Sequence, residues 1–450
     1  MIRIFFLLSI FFYTMCFAQF DEDIHRSAPN PFSPITLEAV PYWSEDTTSI
    51  ELVVFYRINQ ELFFYARTFT GQHEAYEAKG ELVFEVFDEK DAAITRDFRP
   101  LRIERNSLPS EGVPFSDGVQ GALTFKLKKG LYKIVLETKD SESGKSFINR
   151  DTKIDTRTFT SGLNISSAIF VEPISSDTFL NKQKDFSPIN RGGGVIIGQT
   201  GGCLLQMTSP DTNADIYLTW KVNGKSETDE DFPQELLGEK FFQQYGTPVI
   251  VEKPKRVSIS VKNDSKFSRL IFIPVAVERL ETGKYQMTIT ITQGSLKSTK
   301  DFFFNIIWPS KPHSLSDFKL AVDAVRHIAT EAELDSMTAF SSHKSMIAFR
   351  TFWHKRNPDT TRAFNPAMAE YYRRVDETIK RFSSANETDG YRTDRGRIYI
   401  LFGSPSITNR LLKPNSAPTE IWTYEKLKRR FTFTDQRKTG NYILMKMENY

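Results

Sequence analysis

Between residues 387 and 397 the sequence ETDGYRTDRGR sets three carboxylates, Glu387, Asp389 and Asp394, among three guanidinium groups, Arg392, Arg395 and Arg397. Residues of these types, so close together, suit three kinds of chemistry. Asp394 could serve as a general base. Two of the carboxylates, if held about 5 to 10 Å apart, could flank a glycosidic bond. The arginines, joined by Arg374 from the helix before them, could hold a phosphate or carboxylate. A structural account uses the same side chains. Gly390 and Gly396 permit a tight backbone, Tyr391 anchors it in a core, and Thr393 and Asp394 close side-chain to backbone turns before a strand predicted at 397–402. Structural ion pairs commonly mimic sites, so the pattern favours a latch while leaving the chemistry open.

Other constellations offer less. His25, His73, His313, His327, His343 and His354 do not stand in zinc-ligand spacing. No Gly-x-Ser-x-Gly elbow occurs. The glycines of NRGGGVIIG are not followed by Gly-Lys-Ser/Thr, so Gly192 to Gly194 read as a strand-edge cluster. No metal or cofactor is expected. No basic stripe or nucleic-acid motif is present, which argues against nucleic acid as a partner.

The elements that must position the 387–397 stretch follow from periodicity. In SLSDFKLAVDAVRHI the apolar residues Phe318, Val322, Val325 and Ile328 recur at helical spacing, with Ser314 or Ser316 as the expected N-cap. Thr330 and Glu333 make a capping-box pair. HKSMIAFRTFWHKRNP places Met346, Phe349 and Trp353 on one helical face and stops at Asn357-Pro358. The clearest helix is NPAMAEYYRRVDETIKRFSS. Asn365 caps it, Pro366 opens it, and Met368, Tyr372, Val375, Ile379 and Phe382 form its apolar stripe. RIYILF, EIWTY, RRFTFT and NYILMKM then read as strands. Residues 313–450 are therefore expected to be an α+β domain, helices packed on an antiparallel meander.

Upstream the chain is written in β-type runs. Those from about 36 to 172, including SIELVVFYRI, ELVFEVFDE and LKKGLYKIVLE, predict an antiparallel sandwich. A second series at 185–309 predicts another Ig-like sandwich, after a linker in SSDTFLNKQKDFSPINR. The fold class is thus multidomain and mainly β. At the N-terminus, Arg3 precedes an apolar run from Ile4 to about Tyr13, as in a secretory signal peptide, with cleavage expected after Ala18. Lipidation at Cys16 is the rival reading, disfavoured by Tyr13 and Met15. Residues 19–35 read as a flexible leader. The mature chain then holds one thiol, Cys203, and no later run is long and apolar enough to span a bilayer. Residues 313–450 carry 23 Lys/Arg against 16 Asp/Glu, a basic end on an acidic body.

Five blocks in order, FWHKRNP (352–358), YYRRV (371–375), GYRTDRGRIYILFGSP (390–405), EIWTY (420–424) and FTFTD (431–435), resemble the exported bacterial proteins named for a GWxTD motif, over about residues 340–450. Tyr391 stands where the motif has Trp. The resemblance implies an envelope setting, periplasmic, outer-membrane associated or extracellular. It implies no reaction. Two functions are expected to compete: a non-enzymatic scaffold whose C-terminal domain binds an envelope protein or anionic envelope polymer, and a hydrolase or transferase acting on such a polymer through the 387–397 loop.

Overall fold

The computed structural model describes residues 33–43, 49–70, 73–107, 118–157, 162–174, 185–226, 233–253, 256–338, 342–384, 387–414 and 416–450. The expected signal peptide, nearly all of the leader and most of the linker lie outside the described residues. The chain is mainly β and divides into two compact units, 1–309 and 310–450.

The first unit opens with β1 (Ile35–Trp43), β2 (Ser49–Asn59), β3 (Ala66–Thr70), β4 (His73–Phe87), β5 (Ala93–Arg105), β6 (Gly118–Lys128), β7 (Leu131–Asp140) and β8 (Ser146–Asp155). These make two antiparallel sheets, β1-β2-β6 and a five-stranded one built around β4. β2 explains the stacking. Its Ile50, Leu52, Val54, Tyr56 and Ile58 pack toward Leu82, Phe84 and Leu136 of the five-stranded sheet. Val53 and Phe55, on the opposite face, enter a different core with Val171, Leu204, Ile259 and Phe272. A strand covered on both faces needs a near-continuous apolar run, which SIELVVFYRI supplies.

That second core belongs to the later strands: β9 (Asn164–Ile165), β10 (Ile169–Pro173), β11 (Phe186–Pro188), β12 (Gly194–Ile196), β13 (Gly202–Thr208), β14 (Tyr217–Ser226), β15 (Pro233–Gly238), β16 (Phe242–Tyr245), β17 (Thr247–Lys253), β18 (Arg256–Lys262), β19 (Ser268–Pro274), β20 (Gly283–Gln293) and β21 (Leu296–Ile307). They form an eight-stranded and a five-stranded sheet. Phe170 and Phe304 pack between these sheets at 4.7 Å. Two expectations are corrected. β9 and β10, read as the end of the first sandwich, pair with β11 and β13 of the later series. β12 runs parallel to β21, so the pairing is not purely antiparallel. Cys203 is fully buried on β13, and burial pushes its thiol pKa up, as for an inert packing residue.

The second unit contains α1 (Phe318–Ala324), α2 (Glu331–Thr338), α3 (Ser342–His354), α4 (Pro366–Phe382) and α5 (Asp394–Phe402). Four strands follow, β22 (Ile407–Leu411), β23 (Thr419–Tyr424), β24 (Arg429–Thr434) and β25 (Ile443–Asn449), in consecutive antiparallel order. Asn365 caps α4 through the Met368 N–H at 3.0 Å, with Pro366 at the first position. Thr330 and Glu333 close their capping box at 2.9 and 3.3 Å. The cap of α1 is Asp317 rather than Ser314 or Ser316, because its carboxylate reaches the Leu320 N–H at 3.1 Å. Ser314 instead sits in a preceding 3-10 turn, its N–H donating to Asp376 at 2.9 Å. Tyr371 and Tyr372 rivet α4 to α1 by donating to the carbonyls of Ala324 and Ala321 at 2.6 and 2.7 Å.

RIYILF is the main correction. It is not a strand but the body of α5, and the first strand of the meander is ITNRL. The β-branched and aromatic residues are explained by burial on several sides. Ile400 joins the helical core with Tyr372, Val375 and Tyr391. Ile398 and Tyr399 join a separate core with Phe382, Trp422, Phe431 and Phe433. α5 is the wall between them, so tertiary packing overrides its β propensity. Among the described residues no helix is long and apolar enough to cross a membrane.

Candidate functional site

The GYRTD stretch is the entry to α5. Residues Gly390–Arg392 form one 3-10 turn, after which Thr393 caps the helix. The Thr393 hydroxyl donates to the Gly390 carbonyl at 2.8 Å and accepts the Gly396 N–H at 2.9 Å. Both glycines are fixed by close approach. A Cβ on Gly390 would lie 2.1 Å from the Thr378 carbonyl oxygen of α4, and one on Gly396 would lie 2.0 Å from that of Gly390. The turn is thereby pressed against the long helix with no room for a side chain.

Tyr391 is 3% exposed, and its hydroxyl donates to Asp323 Oδ2 at 2.6 Å. Arg392 donates to the same oxygen through Nε at 2.9 Å and Nη2 at 2.7 Å, while Arg326 pairs with Oδ1. His327 Nε2 donates to the Tyr391 carbonyl at 2.9 Å, and burial lowers the His327 pKa. The phenol thus supplies a polar donor to α1 even though this chain lacks the motif's indole N–H. Tyr391→Phe removes it while two arginines still hold Asp323, so a loss of about 1 kcal/mol is expected. Tyr391→Trp, which keeps a ring and a donor, should cost less. Urea unfolding of both variants checks the order.

On the other side of the turn, Asp394 Oδ2 accepts the Leu444 N–H of β25 at 2.8 Å, and Oδ1 accepts from Arg397 at 3.3 Å. Arg395 is 8% exposed. Its Nη1 donates to Glu420 at 3.1 Å and its Nη2 to the Gly440 carbonyl at 2.9 Å, with the guanidinium 4.1 Å from the Tyr442 ring centroid. Burial lowers the Arg395 pKa, and Glu420 opposes that shift. Glu420, 3% exposed, also accepts the Trp422 indole N–H at 2.8 Å. Arg374 donates to Glu370 at 2.7 Å and to the Ile400 carbonyl in the last turn of α5 at 3.0 Å. Its neighbour Arg373, with Arg374, holds the Glu370 carboxyl down at about 2.

The structure therefore brings Gly390, Tyr391, Thr393, Asp394, Arg395 and Gly396 together as one joint between helices and meander. The three carboxylates go to different partners: Glu387 to the Asp389 N–H, Asp389 to Arg392, and Asp394 to Leu444 and Arg397. Each of Arg374, Arg392, Arg395 and Arg397 meets a carboxylate of its own chain. Sequence reasoning missed Asp323 and Glu420. Asp323 sits in a helix without a distinguishing signal. Glu420 carries one, since it shares the inward phase of its strand with Trp422 and Tyr424.

The glycine cluster of the first unit has a similar explanation. Asn190, Gly192 and Gly193 have φ of 54°, 58° and 73°, and the backbone N–H groups of Arg191, Gly192 and Gly193 hydrogen-bond the Glu38 carboxylate. Successive N–H groups in such a bend make an anion nest, and here a side chain of β1 fills it.

Fold and site together define an α+β module whose helical and β halves are joined by a capped, charge-locked turn. Residues 291–450 match the family model described as the GWxTD domain. Among curated proteins none matches the chain.

Proposed function

We propose that this is an exported cell-envelope protein that works by binding rather than by catalysis, its GWxTD domain engaging an anionic partner through the exterior of the meander. The observation that supports this is the distribution of charge. The guanidinium groups of the motif are engaged inside the domain, whereas the meander presents cations outward. Residues 403–450 contain nine Lys/Arg and four Asp/Glu. Two of those acids, Glu420 and Asp435, are buried. A third, Glu448, pairs with Arg430 and Lys446. Lys413, Lys426, Lys428, Arg437 and Lys438 are exposed and, among the described residues, lack a carboxylate partner. These cations stand in the connections at both ends of the meander, and exposed charges of one sign attract an oppositely charged surface less well in salt.

The test is surface-immobilised full chain titrated with polyglutamate and with envelope extract. Retention should fall at least about tenfold as ionic strength rises from about 0.05 to 0.3 M, where the screening length shrinks. Lys426→Glu with Lys428→Glu should weaken it comparably, and Arg392→Ala should not. Retention indifferent to salt and to the lysine reversals would contradict the reading.

A further inference from the structure

One end of the eight-stranded sheet carries an open groove of about 510 Å³, lined by Thr212, Asn213, Gln244, Tyr245, Asn263, Lys266 and the buried Val261. Its walls are fixed from behind. Gln293 donates to the carbonyls of Asp211 and Ala214 at 2.8 and 3.1 Å, and Asp211 accepts the Asn213 N–H at 2.9 Å. Arg269, 2% exposed, donates to the Thr212 carbonyl and to Gln243, each at 3.2 Å, and lies 4.5 Å from the Tyr245 ring centroid. The far wall is held where Asp264 accepts the N–H and hydroxyl of Thr247 at 3.1 and 2.8 Å.

Several polar side chains lining the groove have hydrogen-bonding capacity left over. Gln244 Oε1 is buried without a hydrogen-bond partner. Among the described residues the side chains of Thr212, Asn213, Asn263 and Lys266 make no hydrogen bond or ion pair within the chain. Native proteins seldom leave a buried acceptor unmet, and a ligand hydroxyl would meet it. A carboxamide both donates and accepts, so Asn213, Gln244 and Asn263 match neighbouring hydroxyls, each of which also does both. Tyr245, 41% exposed, adds a flat apolar edge. Among the described residues no carboxylate lines the groove, and one ammonium does.

We propose that this groove binds an acidic saccharide, its hydroxyls held by the three carboxamides and its anionic substituent by Lys266. The site is in the first unit and is independent of the basic meander.

Isothermal titration of the full chain with oligogalacturonate, and with the same oligomer after its carboxyls are reduced to alcohols, tests it at about 0.15 M salt, where long-range charge effects are screened. Saturable binding of the acidic oligomer is expected. Gln244→Ala and Asn263→Ala should each weaken it about tenfold, roughly the worth of one neutral hydrogen bond. Lys266→Ala should abolish the preference for the acidic over the reduced oligomer. Asn263 and Lys266 lie on a surface turn, so unchanged circular dichroism is expected for both. Lys426→Glu with Lys428→Glu should leave binding intact, which separates this groove from the meander. The proposal is overturned if neither oligomer gives saturable heat up to about 10 mM, weaker than any specific site of this size. It is equally overturned if the groove variants bind like the parent, or if the meander reversal removes binding.

Discussion

Replacing Glu420 by alanine is expected to lower the stability of the C-terminal unit by about 3–5 kcal/mol, because it leaves a buried guanidinium without its counter-charge. The side chains of Arg395 and Glu420 are only 10% and 4% exposed, so water cannot take over for the lost carboxylate. The Trp422 indole N–H loses its acceptor in the same step. Removing both charges should cost much less than removing one: Arg395→Met with Glu420→Leu avoids the stranded ion and keeps the volume between Phe382 and Tyr442 filled. Differential scanning calorimetry of the single and double variants reads the difference. If Glu420→Ala melts with the parent, the pair is not what clamps α5 to the meander.

The architecture was legible where periodicity and burial agreed. α4 follows directly from the stripe of Tyr372, Val375 and Phe382 and from the Asn365-Pro366 start. The outward edge strand β22 gave no signal, since all five of its residues are exposed and nothing enforces alternation. α5 misled for the opposite reason. Its Ile398, Tyr399 and Ile400 are all buried, in two cores at once, so the helical face that periodicity would reveal is missing. The cap was also disguised, because Gly396 occupies the position where a capping box has Glu or Gln.

The site was half legible. Residue types in GYRTDR indicated a charged turn, and local spacing placed Thr393 and Asp394 in it. The distant partners of the turn were not legible: Asp323 lies 68 positions before Tyr391 and Leu444 lies 50 positions after Asp394, and nothing in one sequence ties such residues together. The nest around Glu38 is the same case, since the glycines read as a strand-edge cluster and nothing local ties them to a carboxylate on β1.

Asp394→Ala bears on the central claim, that the motif is a joint inside the domain and not a reaction centre. The carboxylate stands in the first turn of α5 and binds the N–H of Leu444, so its removal uncaps one strand of the meander and withdraws a negative charge from a helix N-terminus. The Arg397 contact is partly exposed and contributes little. The unpaired Leu444 N–H is the larger loss, and a total of about 1–3 kcal/mol is expected. Asp394→Asn, which retains an acceptor oxygen, should recover part of it. A catalytic carboxylate placed in a cleft for substrate would show the reverse, as its removal relieves rather than creates an unmet group. The decisive measurement is the calorimetric transition of the C-terminal unit in full-length Asp394→Ala: the latch requires a clear drop in melting temperature from the parent, and a transition at the parent temperature would contradict it.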